Sequence, residues 1–228
     1  TVAAVIMEPI AGSGGVLIPP EGYLERIRQI CDAYGVLLIL DEVITGFGRT
    51  GESFAAEAFK VKADLITIAK GMTSGMVPMG GVLVREDIYQ AFMTGPDDSI
   101  EFFHGYTYSG HPLAAAAGLA TLTVYEEEGL FDRAKSLAPI LEEELQTIKG
   151  CPYVIDIRNY GLLGAVELEP IEGKPTARAM GVFRQCFDNG LLVRTTGDTI
   201  ALCPPLIASE DQVRTVVQKL KECLNSID

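Results

Sequence analysis

The sequence predicts an α/β fold in which a mostly parallel sheet with flanking helices is followed by a smaller α+β unit. Three observations carry that expectation. Residues 36–40, "VLLIL", form an unbroken apolar run without polar alternation, the pattern of a strand covered on both faces. The same pattern returns in "DLITIA" at 64–69 and "GGVLV" at 80–84, and strand, helix and strand follow one another as in a sheet with helices laid on both faces. From "HPLAAAAGLATLTVYEEEG" onward the chain turns to long helices and short strands, which fits a second, smaller unit.

Each element has its own local signals. Residues 2–7 are a strand candidate, and since it opens the chain the sheet is expected to be incomplete at its N-terminal side. "PPEGYLERIRQICDAYG" has prolines at its start, apolar residues at Leu24, Ile27 and Cys31, and a glycine at its end, the punctuation of a capped helix. Alanines line a helix that starts near Pro112, and a second helical stretch runs from Gly129 to Gly150. "GLLGAVELEP" and "GLLVRTTGDTIALCPPL" supply short strands around a helix near 176–189. A closing helix over 209–224 starts with Ser209 and has Gln212 three residues on, the spacing of a capping box. The predicted division is 1–134 and 135–228.

The 228 residues are 48% hydrophobic, enough for one large core or a core with a smaller satellite. Acidic residues outnumber basic ones by 31 to 18, for a formal net charge of -13. A field of that sign repels phosphate backbones, and no lysine or arginine cluster offsets it, which argues against nucleic acid as a partner. No apolar run reaches the ~18–20 residues of a membrane span. Five widely spaced cysteines without C-x-x-C, and two histidines, form no metal set. They read as reduced, mostly buried thiols of a cytoplasmic protein.

In doubly wound sheets ligands sit beyond the C-terminal ends of the strands. Three such ends carry polar residues: Glu8 after the first strand, Asp41 and Glu42 after "VLLIL", and Lys70 after "DLITIA". Charges at the rim of a core are costly unless paired, so carboxylates at two strand ends and an amine at a third point to a cofactor cradle. A lysine partly withdrawn from water offers an amine that attacks carbonyls. An aldehyde cofactor held that way, pyridoxal phosphate, works as an electron sink only while its ring nitrogen stays protonated, and Asp41 is placed to keep that proton there. A plain salt bridge between Lys70 and Asp41 at a sheet edge is the competing reading of the same spacing.

The glycine-rich pieces "GSGG" at 12–15 and "TGFGRTG" at 45–51 match neither a dinucleotide fingerprint nor a Walker loop. They read as tight loops that let backbone approach a cofactor or a neighbouring subunit. The methionines of "KGMTSGMVPMGG" read as packing. In "HGYTYSGHP" hydroxyls precede a helix, which suits phosphate, with Thr107 as the candidate and Ser109 and His111 equally suited to be local caps. His104 and His111 have no Ser or Cys beside them in a nucleophile context and read as structural. Arg194 interrupts an apolar strand. Its planar fork suits a substrate carboxylate, and a surface pairing with Asp198 is the alternative.

"EPIAGSGG", "LLILDEVITGFGRTG", "DLITIAKG", "HGYTYSGHPLAAAAG" and "GLLVRTTGDTIALCPPL", in this order over nearly the whole chain, resemble the class III aminotransferases, the omega-aminotransferase group of fold type I pyridoxal phosphate enzymes. The resemblance implies that 1–134 is the C-terminal portion of a pyridoxal phosphate-binding large domain and 135–228 the small domain. It implies that Lys70 bonds the cofactor and shuttles a proton between substrate and cofactor carbons, that Asp41 salt-bridges the ring nitrogen, and that Val43 packs on one ring face. Thr107 would reach the phosphate of the other subunit in a homodimer with shared active sites. Glu8, by its place at a strand end, joins the cofactor-binding candidates. Arg194 matches the arginine that takes the substrate carboxylate and swings aside for an amine that lacks one. No metal is expected.

Two departures narrow the expectation. Relatives that act on acetylornithine, ornithine or 4-aminobutyrate carry "EPIQGEGG" or close variants, whose glutamate pairs with the switch arginine. Here Ala11 and Ser13 stand in place of the glutamine and the glutamate, which favours an omega-amino acid or amine donor with a 2-oxo acid such as pyruvate as acceptor, in a ping-pong cycle. The relatives' phosphate loop and ring-stacking aromatic have no counterpart in these residues. A pyridoxal phosphate-dependent aminomutase of the glutamate-1-semialdehyde type shares the lysine and aspartate but needs no separate acceptor. A non-catalytic scaffold or binding module of the same fold is the rival from another class, and it would bind no cofactor.

Overall fold

The computed structural model describes residues 1–97 and 102–227. A first sheet sets β1 (Ala4–Met7), β2 (Leu37–Asp41), β3 (Leu65–Ile68) and β4 (Gly81–Val84) side by side in that order. The first three run parallel, with Ile6 opposite Ile39 and Asp41 opposite Thr67. Helix α1 (Tyr23–Tyr34) carries the chain from β1 to β2 and ends on Gly35 in the left-handed conformation, where a side chain would be strained. Its Leu24 and Cys31 pack on Leu38 and Leu40, which are fully buried, so one face of the sheet is closed by the helix the apolar spacing predicts.

Asp64, just before β3, is a buried carboxylate at the base of this layer. The Leu38 N–H donates to it at 2.7 Å, and Arg28 and Arg85 form salt bridges with it. Burial alone would raise its carboxyl, but these three partners outweigh burial and hold Asp64 below the usual carboxylate range.

β4 differs from the expectation of another run buried on both faces. It lies antiparallel to β3, because the connection over 69–80 holds a single 3-10 turn (Lys70–Thr73) and no crossover helix to bring the chain back in parallel. Val82, Leu83 and Val84 are all exposed. Two short helices, α2 (Ala55–Ala58) and α3 (Glu86–Phe92), also lie in this half and have no counterpart in the expected elements.

The long helices form as expected: α4 (Pro112–Glu127), whose Leu113 N–H donates to His111 Nδ1 at 3.2 Å, and α5 (Leu130–Gln146). The second sheet is antiparallel, in the order β5 (Val154–Tyr160), β6 (Leu163–Leu168), β8 (Thr199–Leu202) and β7 (Arg194–Thr196). β5 is a strand the sequence reading does not include. The helix near 176–189 is α6 (Ala177–Asp188). The closing helix is α7 (Glu210–Asn225), with both bonds of the Ser209/Gln212 capping box in place. Leu137, Leu141 and Leu145 of α5 pack with Val166, Val182, Val217 and Leu220 in the main apolar cluster. The predicted division after residue 134 falls inside α5.

Four cysteines are buried and Cys203 is exposed. Burial and its neighbour Cys223 push the Cys186 thiol up to about 12, as suits an inert packing residue. Among the described residues no helix is long and apolar enough to cross a membrane, and no group of His, Cys, Asp and Glu could hold a metal ion.

Candidate active site

Lys70 is the first residue of the 3-10 turn that ends the β3 run, and its φ of 46° lies in the left-handed region. A non-glycine residue held there costs about 1–3 kcal/mol and persists only when its surroundings dictate it. They do so here. The Tyr125 hydroxyl of α4 donates to the Gly71 carbonyl at 2.6 Å. A side chain on Gly71 would place its Cβ 2.7 Å from the Cβ of Phe47, so only glycine lets the turn lie this close to the loop after β2. Burial pushes the Tyr125 phenol up, against the pull of the nearby Arg49 charge, so it stays a protonated donor. The backbone is thus pinned on both sides while the Lys70 side chain is exposed, with no hydrogen bond or ion pair among the described residues. The salt bridge to Asp41 that the spacing also allowed is absent among them.

Asp41 ends β2, one strand over, and faces Thr67 across the ladder. One of its oxygens accepts the Val43 N–H at 3.1 Å, and the other has no partner among the described residues. Thr67 Oγ1 is buried and also unpaired there. Glu42, the next residue, has a different task. It is fully buried and accepts the Thr45 hydroxyl and the Ala55 and Ala56 N–H groups, each at 2.7 Å, which caps α2 and fixes the glycine loop that follows Asp41. Burial raises its carboxyl, and the three donors oppose that shift.

Lys70 and Val43 open on a cavity of about 550 Å³ whose far wall comes from the second sheet: Arg194, Ala201, Leu202 and Cys203. Among the described residues its charged lining is Lys70, Arg49 and Arg194, with no carboxylate, in a chain of net charge -13. Such a site favours an anionic group. Arg194 is exposed and makes no ion pair among the described residues; the rival partner, Asp198, instead accepts the Thr176 N–H at 2.9 Å. Ser13, where relatives of other specificity have a glutamate, also lines the cavity.

Three predicted residues are not among the lining of this cavity: Asp41, at the β2 end behind Val43 in sequence, and Glu8 and Thr107. Glu8 accepts the Gly12 N–H at 2.9 Å, so it shapes the loop that contributes Gly12 and Ser13 to the wall. Thr107 sits on an exposed turn before α4, beside Ser109, whose hydroxyl accepts the Tyr106 N–H at 2.9 Å. The glycine loops do let backbone come close, and within the chain it is α5 that approaches: a Cβ on Gly48 would lie 2.4 Å from the Phe131 ring, and one on Gly51 would touch Lys135. Arg49 and Tyr125 are site residues the sequence reading passes over. Arg49 stands inside the "TGFGRTG" run already singled out, while nothing local marks Tyr125.

A family model described as aminotransferase class-III matches residues 1–224. The chain belongs to that family. It is 56% identical over 227 residues to an omega-aminotransferase of Caulobacter vibrioides, covering all of this chain and 52% of that protein. It is 46% identical over 228 residues to a beta-alanine–pyruvate aminotransferase of Pseudomonas aeruginosa, covering 99% of this chain and 51% of the relative. A solved transaminase from the marine bacterium Virgibacillus matches with a TM-score of 0.88 at 41% identity, over 97% of this chain and 52% of its own. A thermostable omega transaminase mutant from Pseudomonas jessenii matches at 0.91 and 34%, over 99% and 51%. The class III chain described here therefore spans about half the length of the curated relatives it matches.

Class III aminotransferases use pyridoxal phosphate, and the residues present fit that group. Among the described residues an exposed amine without a partner, a carboxylate oxygen without a partner at the next strand end, an unpaired hydroxyl on Thr67 and the apolar Val43 side chain together suit an aldehyde, a protonated ring nitrogen and a flat ring.

Proposed function

We propose that the protein of which these residues form part is a transaminase that moves an amino group from an omega-amino acid or amine to a 2-oxo acid such as pyruvate. The single observation that carries this reading is Lys70, held in a strained backbone conformation with a free side chain at a cavity that also bears Arg194. Pyridoxal phosphate, when bound, supplies an aldehyde that captures amino groups and a ring that spreads the charge of a deprotonated carbon. Lys70 would hold that aldehyde at rest and, once displaced, carry a proton to and from the substrate's amine-bearing carbon at Nζ. Asp41 would hold the proton on the ring nitrogen, and Val43 would set the height of the ring.

Thr107 would serve the phosphate in the partner's site of a homodimer, and Glu8 would act through the Gly12 backbone it holds. In this reading the large-domain portion, 1–134, brings the amine and the ring-binding groups, and the small domain, 135–228, brings Arg194 to the substrate carboxylate. Ser13 in place of a gate glutamate leaves Arg194 free for that carboxylate. Five unpaired thiols suit a cytoplasmic location.

The test uses the full-length protein loaded with pyridoxal phosphate, with β-alanine and pyruvate as the pair. Alanine formed only when pyruvate is present, together with a bound-cofactor absorbance band that β-alanine bleaches, is the expected result. Lys70→Ala should lower turnover by at least about 10⁴-fold. Rearrangement of an amino substrate without any acceptor would favour an aminomutase, and a protein that takes up no cofactor would be a scaffold.

A further inference from the structure

Arg49 reaches from the loop after β2 to the second sheet in two ways. Its Nη1 donates to the carbonyl of Pro204, and its own carbonyl accepts the Leu162 N–H at 2.9 Å. At the second contact the fit is tight: a Cβ on Gly161 would lie 2.5 Å from the Arg49 oxygen. Pro204 sits in the loop that leaves β8, between Cys203 and Pro205, both of which line the Lys70 cavity. On β8 Ala201 is the ladder partner of Arg194. Arg194 also borders a second, larger cavity of about 1000 Å³, and its guanidinium makes no hydrogen bond or ion pair among the described residues. Its position is set from the backbone, and the backbone is tied to the Lys70 side of the cavity through Arg49.

We infer that Arg49 is a positioning residue for substrate carboxylates: by holding the loop after β8 it sets the distance between Arg194 and Lys70. The inference rests on the transaminase reading and deepens it, since it concerns the part of the substrate that Arg194 recognises. A charged donor to a carbonyl is among the stronger hydrogen bonds, so its loss should be felt at the wall it holds. Removing Arg49 then loosens the grip on carboxylate substrates and leaves the capture of an amine without a carboxylate less affected.

The experiment is a double-mutant cycle in the full-length, cofactor-loaded enzyme, with kcat/KM read separately for pyruvate, for β-alanine and for 1-phenylethylamine. Arg49→Ala should lower kcat/KM for both carboxylates by about tenfold or more, through KM, and for the amine by under about threefold. Placed on an Arg194→Ala background, the same change should cost the carboxylates little more, because the two residues act on one contact. Arg49→Lys, which keeps a cationic donor of similar reach, should recover much of the loss. The dissociation constant of propionate, a carboxylate that cannot react, measured by calorimetry on cofactor-free protein, should rise in step. Equal losses for the amine and the carboxylates, or losses that add fully to those of Arg194→Ala, would overturn the inference. If Arg49→Ala does not fold, as thermal unfolding would reveal, Arg49→Lys and Arg49→Met carry the same comparison. A wild-type enzyme inactive with every pair would instead sink the transaminase reading itself.

Discussion

In the second sheet every residue of β6 except Glu167 is buried, against α5 on one side and the loops of the first half on the other. Across all four strands of the first sheet only Leu38, Leu40 and Ile68 reach that state, while Ile6, Val82, Leu83 and Val84 are exposed. The residues of the candidate site sit at the strand ends of the thinly covered sheet, and the densely packed one supplies the opposite wall. Arg158 of β5 shows the same division of labour, donating to the Gly15 carbonyl at 2.9 Å and so holding the loop that carries Ser13. The contrast teaches that the site borrows its rigidity: the β2 and β3 ends are steadied by contacts from α4, α5 and the second sheet more than by the core beneath them.

Three substitutions can break or sharpen that contrast, each made in full-length protein and read as the midpoint of urea unfolding. Leu145→Ala, at a fully buried position in the main cluster, should cost about 2–5 kcal/mol. A cost under about 1 kcal/mol would mean that the second unit is not the rigid one.

Asp64→Asn tests the chief polar anchor of the first sheet and should cost about 1–3 kcal/mol at neutral pH, since Arg28 and Arg85 lose the buried carboxylate they share and keep only the exposed Asp32 and Asp87. The folded-state carboxyl of Asp64 lies below its unfolded value. Its contribution is therefore fully present above about pH 4–5 and is lost as the pH falls through the folded value. The gap between wild type and variant should close on acidification, and a gap constant from pH 7 to pH 3 would show that the charge of Asp64 does not matter.

Val82→Thr, on the exposed face of β4, should shift stability by no more than about 0.5 kcal/mol. A loss that rivals Leu145→Ala would show that this face is covered in the full-length protein.

Much of this was legible in the chain because it is written in short-range pattern. An apolar run that ends on Asp41 and another that ends on Lys70 place a carboxylate and an amine at strand ends, and the ladder then sets Asp41 opposite Thr67, three residues before the lysine. Ser209 and Gln212 announce their helix in the same local way. β5 was harder to read. Its "VIDIRNY" carries an aspartate, an arginine and an asparagine among its apolar residues, and Arg158 is held by Asp156, Glu167 and the Gly15 carbonyl, none of which its neighbours in sequence reveal together.

Local pattern was enough for the five longer helices, most of the strands, the family and the placing of Lys70 and Asp41 at neighbouring strand ends, since each depends on residues a few positions apart whose periodicity and end chemistry are local. Only the tertiary structure decided that β4 returns antiparallel, that Tyr125 pins Gly71, that Glu42 caps a helix while Asp41 keeps an oxygen free, and that Arg49 holds Pro204. Those outcomes depend on which distant surfaces meet, and packing settles that only once all the elements are in place.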